Sequence, residues 1–194
     1  MKYLWVDLET TGLEAKRHGI IQLAGIVEID GEDVENFNYK VCPLPGDGVT
    51  QRALEVNQTT VEELKTREPA SAVKDKMIQL MNKYIDPYNK RDKFALIGYN
   101  AKFDYDFLRK WFEKQSFSYF GSFVWFPPID VMNLAAFDSI ERRSEIPNFK
   151  LGSLAKAYGI NLIEDDLHDA FYDISITRDL YHRLRPSLLN GKKQ

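Results

Sequence analysis

The spacing of apolar positions changes character along the chain, and that change predicts its elements. Lys2 to Glu9 is apolar on both faces up to Val6, the pattern of a strand covered from both sides. Ile20–Asp30 and Val34–Cys42 read as two more strands, with Gly31-Glu32-Asp33 as the hairpin turn between them. Leu44 to Gly48 is a Pro/Gly loop. Beyond it the period lengthens, and Thr60–Thr66 and Ala70–Ile85 read as helices, with Glu62 and Glu63 in the first turn of the former. Phe94–Tyr99 is a short apolar strand. Phe103–Gln115 is a helix with Phe103, Phe107, Leu108, Trp111 and Phe112 on its apolar side. Asp130–Phe137, Leu151–Tyr158 and Asp169–Leu184 complete the helices, and Leu189 to Gln194 reads as a frayed tail. A meander of strands followed by strands alternating with helices implies a mixed sheet flanked by helices on both faces, of α/β or α+β class.

Composition narrows the picture without changing it. A chain of 194 residues fits a single domain, expected over residues 1–188, and 44% hydrophobic with 28% charged residues is ordinary for a globular protein. No apolar run approaches the roughly 18 residues of a membrane span, and Asp7 comes too early for a secretory signal. Cys42 is the only cysteine, which excludes intramolecular disulfides and cysteine-clustered zinc. A cytoplasmic protein is the expectation. The net charge of −3 weighs little against a polyanionic partner. Four carboxylates gathered in one site would by themselves exceed that charge, and bound cations would cancel it locally.

Three short segments place acids where a site could form. Alternate residues of a strand share a face, so Asp7 and Glu9 project together from the end of the first strand. Two adjacent carboxylates repel unless a cation or proton lies between them. An edge strand with a wet face would explain the pair, but the apolar run up to Val6 favours a central strand, beyond whose carboxyl end ligands bind in open α/β sheets. In Asn100-Ala101-Lys102-Phe103-Asp104 a strand gives way to a helix. Asp104 falls within about 40° of Leu108 and Trp111 around that helix, with Asp106 about 200° away. Asp104 is therefore expected to face inward and Asp106 solvent, though a helix-dipole role would also account for Asp104. In His168-Asp169-Ala170-Phe171-Tyr172-Asp173 the last acid adjoins the inward stripe Ala170, Ile174, Thr177, Tyr181. His168 stands in the loop before it, whereas His18 and His182 read as cap or surface residues. Asp165, Asp166 and Asp169 read as a solvated turn and a first-turn charge.

Asp7-Leu8-Glu9-Thr10-Thr11-Gly12-Leu13 resembles the first motif of the DnaQ-like (DEDDh) 3′→5′ exonucleases, a family that includes the proofreading epsilon subunit of bacterial DNA polymerase III, RNase T and oligoribonuclease. Asn100 to Asp104 resembles the second motif, and His168 to Asp173 the third in its His-x-Ala-x-x-Asp form. Ile21-Gln22-Leu23-Ala24, Leu151-Gly152-Ser153-Leu154-Ala155 and the turn from Val56 to Thr60 are also family-like, so the resemblance runs from about Tyr3 to Leu184. It implies an RNase H-like α/β fold with a five-stranded mixed sheet. It also implies two divalent metal ions, Mg²⁺ or Mn²⁺, with Asp7 bridging both, Glu9 and Asp173 completing one site and Asp104 the other. His168 would be the general base. Thr10, Leu13, Val56, Asn100 and Phe103 match substrate-side positions, Leu13 as a wedge between the last two bases. The turn Val56-Asn57-Gln58-Thr59 lacks a glycine common in the family, and Tyr99 stands where histidine is frequent.

The resemblance implies release of nucleoside 5′-monophosphates from single-stranded or frayed 3′ ends, with DNA favoured and a separate polymerase chain as a further partner. An exoribonuclease or oligoribonuclease remains the alternative, since tolerance of the 2′-OH is not legible here. A catalytically silent binding module is disfavoured because all five catalytic positions are occupied. Arg142, Arg143 and Lys150 are candidate phosphate contacts, with ordinary solvated charge the plainer reading. The aromatic stretch Phe117–Pro128 reads as core and edge strand in preference to a platform for bases.

Overall fold

A computed structural model of the protein describes residues 1–163 and 169–190. The element order is β1 (Lys2–Thr10), β2 (Ile20–Ile29), β3 (Glu32–Cys42), α1 (Gln51–Val56), α2 (Val61–Thr66), β4 (Glu68–Pro69), α3 (Ala70–Tyr84), β5 (Ala95–Gly98), α4 (Ala101–Lys114), α5 (Phe120–Phe123), β6 (Ile129–Asp130), α6 (Val131–Asp138), a 3₁₀ turn (Ile140–Glu145), α7 (Leu151–Ala157) and α8 (Ala170–Asn190).

The sheet is six-stranded, in the order β4-β3-β2-β1-β5-β6, one strand more than the expected five. The addition is slight, because β4 is two residues long and pairs with Val41 and Cys42 at the end of β3. β1 and β2 are antiparallel, with Asp7 opposite Ala24 and Glu9 opposite Gln22. On its other side β1 runs parallel to β5, from Tyr3 opposite Ala95 to Trp5 opposite Ile97. β1 is therefore central, as its two-sided apolar run requires. Gly98 allows β5 to end tightly against it, since a Cβ there would come 2.9 Å from the Val6 carbonyl oxygen.

Alternation along β1 divides the interior into two cores. Leu4, Val6 and Leu8 pack with α3 and α4, in a cluster holding Met77, Phe107, Leu108 and Trp111. Trp5 faces the other way, into a cluster with Val131, Ala135, Leu154, Ile174 and Leu180 from α6, α7 and α8. Full burial of such side chains contributes about 1.5–3 kcal/mol each, so both faces bind β1 firmly.

Local chemistry corrects two expectations and adds a helix. The hairpin turn is Asp30-Gly31, at φ 53° and 94°, not Gly31-Glu32-Asp33. Two positive φ values are what a tight two-residue hairpin requires, and the surplus residue, Val34, is taken up as a bulge opposite Val27 and Glu28. The helix α1 lacks an apolar stripe that would reveal it, and Thr50 caps it by accepting from the Ala53 amide at 3.2 Å. The stretch from Phe117 supplies core through Phe120, Phe123 and Val124, with a short helix, α5, in place of an edge strand beside one bridge from Phe94 to Val124.

Candidate active site

The carboxyl end of β1 presents Asp7 and Glu9 on the face of Trp5, both half-buried. Asp104 reaches the same end from the first turn of α4, which packs on the opposite face of the sheet. Its side chain is buried, with the residue 3% exposed. Asp106, two residues on, is half-exposed and ion-paired with Lys102, so the expected inward–outward assignment of the two acids holds. Asp173 arrives from the first turn of α8 on the Trp5 side, half-buried, with its amide donating to the Asp169 carbonyl at 2.9 Å. Two helices on opposite faces of one sheet thus bring acids to the end of its central strand. His168 lies outside the described residues.

Proton affinities register this crowding. The Asp7 carboxyl is held well above the usual carboxylate range, by burial first and then by Asp104, Asp173, Glu9 and Asp169. Glu9 is pushed up to about 8 by burial and by Asp173, with Lys40 pulling it back. Asp104 is raised mainly by burial, against the backbone amides of Asp104 and Leu8, which favour its charged form. No group of three or more His, Cys, Asp or Glu side chains among the described residues is arranged to hold a metal ion. The nearness of these acids is therefore recorded in their electrostatics rather than in a converged set of oxygens.

The two helix starts are held by different means. Asn100 begins α4 in the left-handed region, at φ 57° and ψ 40°, and its amide donates to Asp130 Oδ1 at 3.0 Å. The same carboxylate caps α6, accepting from the Met132 amide at 3.0 Å. Beside it, the Tyr99 hydroxyl donates to the Phe149 carbonyl at 2.6 Å. At α8 it is Asp169 that caps: Oδ1 accepts from the Phe171 and Tyr172 amides at 3.0 and 3.2 Å. Its other oxygen accepts from Gln22 Nε2 at 3.2 Å and lies 4.0 Å from Lys40 Nζ. Lys40 in turn donates to Gln22 Oε1 at 2.7 Å. Glu9, Gln22 and Lys40 are cross-strand neighbours on β1, β2 and β3, so this polar row ties the start of α8 to the strand carrying Glu9. Asp169 is thus a structural anchor, not the first-turn charge expected of it. Its N-cap position, three residues before Tyr172, was the available signal.

The loop after β1 is tightly organised. Thr10 is buried and its hydroxyl donates to the Gly12 carbonyl at 2.8 Å. Thr11 accepts from the Gly19 amide at 2.8 Å and donates to the Gly48 carbonyl at 2.6 Å. His18, expected at the surface, is buried: the Glu14 amide donates to its Nδ1 at 3.0 Å, and its ring occupies the space where a Gly12 side chain would begin. Asn57 Nδ2 donates to the Thr10 carbonyl at 3.4 Å, docking the end of α1 and exposed Val56 onto this loop. Gln58 adopts φ 47°, the left-handed conformation that explains a glycine preference in this turn. Leu13 is 83% exposed, an apolar side chain standing free beside the carboxylates. Asn100 is exposed, and Phe103 is half-buried with its ring 4.6 Å from that of Phe107.

Of the basic candidates, Arg142 sits 4.0 Å from Asp138 Oδ2 with its guanidinium 4.6 Å from the Tyr158 ring, and Arg143 lies 3.6 Å over Phe149. Both arginines brace their own loop. Lys150 lies at the start of α7. No helix of the described residues is long and apolar enough to cross a membrane.

The DNA polymerase III PolC-type of Latilactobacillus sakei is 30% identical over 183 residues, which is 94% of this chain and 11% of that polymerase. The PolC-type polymerase of Lacticaseibacillus paracasei is 27% identical over 187 residues, with the same 94% and 11%. The chain thus spans about a ninth of the length of these relatives. Escherichia coli exonuclease I, in a zinc-bound complex with single-stranded DNA, superposes with a TM-score of 0.75 at 20% identity, covering 97% of this chain and 43% of that one. The family model described as exonuclease matches residues 4–181, and this protein therefore belongs to that family, the DnaQ-like nucleases of RNase H-like fold.

Proposed function

We propose that this chain is a 3′→5′ exonuclease that shortens single-stranded or frayed DNA with the help of two divalent cations. The observation that carries the reading is the gathering of Asp7, Glu9, Asp104 and Asp173 at one strand end, close enough that each raises the proton affinity of Asp7. An all-carboxylate donor set suits hard cations such as Mg²⁺ or Mn²⁺. The residues fit such ions in the chemistry of their donor atoms, since all four offer carboxylate oxygens. Asp7 would be shared between the two ions, with Glu9 and Asp173 on one and Asp104 on the other. When bound, the ions supply positive charge against the attacking and leaving oxygens of an in-line displacement.

The chain's own residues supply the rest. His168 removes a proton from the attacking water, a contribution of about 10²–10⁴-fold. Leu13, exposed and rigidly based, wedges between the last two bases. Thr10, Val56, Asn100 and Phe103 line the terminal nucleotides. Hydrolysis of the last phosphodiester gives a nucleoside 5′-monophosphate and a strand one nucleotide shorter. DNA is the favoured substrate because the relatives are DNA polymerases by name and exonuclease I was solved with single-stranded DNA. A polymerase chain is the natural partner on the same ground. The test is digestion of matched 5′-labelled and 3′-labelled DNA and RNA oligonucleotides in Mg²⁺, Mn²⁺ or EDTA. A ladder shortening from the 3′ end, faster on DNA and absent in EDTA, is expected; endonucleolytic products or metal-independent cleavage would overturn the reading.

A further inference from the structure

The outer edge of the sheet makes a detour beside this site. Phe94 bridges Val124 and Ile97 pairs with Ile129, both in parallel register. Two residues, Ala95 and Leu96, separate the paired positions on one side, and four, Trp125 to Pro128, separate them on the other. Four residues cannot lie flat along two, so the surplus is pushed outward, as in a bulge. Aromatic side chains emerge with it. Trp125 is 41% and Phe126 63% exposed, although Phe120, Phe123 and Val124 just before them are buried. Phe126 rests on Tyr105 of α4, with ring centroids 5.2 Å apart. Lys93 Nζ stands 5.3 Å from the centroid of the Trp125 ring, and exposed Lys90 and Arg91 precede it in the turn before β5.

Protection of a sheet edge would account for a bulge and for Pro127 and Pro128. It does not call for two exposed aromatic rings, one of them facing Lys93, in an edge preceded by a basic turn. Location favours a ligand. From Phe94 to Gly98 is about 13 Å of strand, so the bulge lies within that distance of the end where Asn100 and Asp104 stand. The substrate-side residues proposed above fall first at the end of β1 (Thr10, Leu13) and then beyond β5 (Asn100, Phe103). In the order of the sheet the next strand outward is β6, and Trp125 and Phe126 precede its amino end, so a strand leaving the site would run back along this edge to reach them.

Resting on the exonuclease reading, we propose that Trp125 and Phe126 form a stacking platform for the single strand upstream of its 3′ end, with Lys90, Arg91 and Lys93 facing its phosphates. Base stacking on aromatic rings tolerates any sequence, because every base has a π-face. A sequence-indifferent exonuclease needs such a grip. Lys93 braces the indole from one side, and Tyr105 backs Phe126, so both rings are held in place before the strand arrives.

The test uses a length series of single-stranded oligothymidylates. For the Trp125→Ala/Phe126→Ala double variant, KM should rise about tenfold or more on strands of roughly eight nucleotides or longer. Its kcat, and all its kinetics on a trinucleotide, should match wild type. A second readout needs no turnover. Trp5 and Trp111 are each 1% exposed, so Trp125 is the accessible one of the three tryptophans. Oligothymidylate added in EDTA should quench its fluorescence, more weakly in Phe126→Ala. Unchanged KM at every length together with unquenched fluorescence overturns the platform, and a surface used by a protein partner would give that result. Failure of the wild-type enzyme to shorten strands of any length counts instead against the exonuclease reading, and quenching then decides the platform alone.

Discussion

The helices α4 and α8 each deliver one acid to the end of β1, but they are fixed there in opposite ways. The start of α4 is set by packing and backbone: Ala101, Asp104, Tyr105 and Phe107 are buried, and Asn100 bonds through its amide. The start of α8 also buries Ala170 and Ile174, but its first turn is tied to the sheet by side-chain polarity, through Asp169, Gln22 and Lys40. Close packing varies little with salt, whereas a half-exposed ion pair at 4.0 Å weakens as ions screen it. One side of the site thus rests on packing and backbone bonds, and the other adds a polar tie that answers to its surroundings. The side that answers is the side carrying Asp173.

The largest expected effect lies where both sides meet. Asp7→Ala should reduce hydrolysis to background, a loss beyond the roughly 10²-fold typical of an outer-shell partner, while the protein stays folded by circular dichroism. Substantial turnover in that variant would remove Asp7 from the centre of the comparison. Next, His168→Ala should lower kcat by about 10²-fold or more with little change in thermal stability or in cation binding measured by calorimetry. A wild-type kcat would remove His168 from the proposed chemistry.

The anchors themselves give the sharper contrast. Asp169→Ala and Asp130→Ala each remove a helix cap, so each should cost about 1 kcal/mol in denaturant unfolding. Their activities should part: Asp169→Ala loses about 10–100-fold, Asp130→Ala much less, because packing still holds α4. Equal losses would show that the two starts are fixed alike. The smallest effect is one of pH. Glu9 carries a folded value of about 8 against 4.5 when unconstrained, so the folded state holds its proton more tightly than the unfolded state does. Stability from this group is complete below about pH 4.5 and is lost as pH rises toward 8. Melting temperature in EDTA should fall across that window, and Glu9→Gln should flatten the slope.

These differences track what the amino-acid sequence makes legible. Asp7, Glu9 and Asp104 could be assigned from periodicity, because strand and helix faces are short-range geometry and their burial follows from adjacent apolar residues. The expected central strand, the helices on both faces and the inward choice of Asp104 over Asp106 follow from the same rule. Asp169 could not be read that way. Its partners, Gln22 and Lys40, lie far away in the chain, and only the register of β1, β2 and β3 brings them together. His18 was misread for a related reason, since the space it fills is created by Gly12. Trp125 and Phe126 belonged to an aromatic run whose other members are core, and no local pattern separates those that emerge at the edge from those that do not.

The place of β1 between β2 and β5 has a consequence for when this chemistry can exist. β1 finds β2 through a nearby loop, but Tyr3 meets Ala95 only after about half of the polypeptide is available, and Asp7 meets Asp173 only after most of it. Contacts so distant in sequence form late in folding. A ribosome-bound or truncated chain ending before α8 would therefore carry the acids of its first strand without Asp173, and the proposed activity would await that last helix.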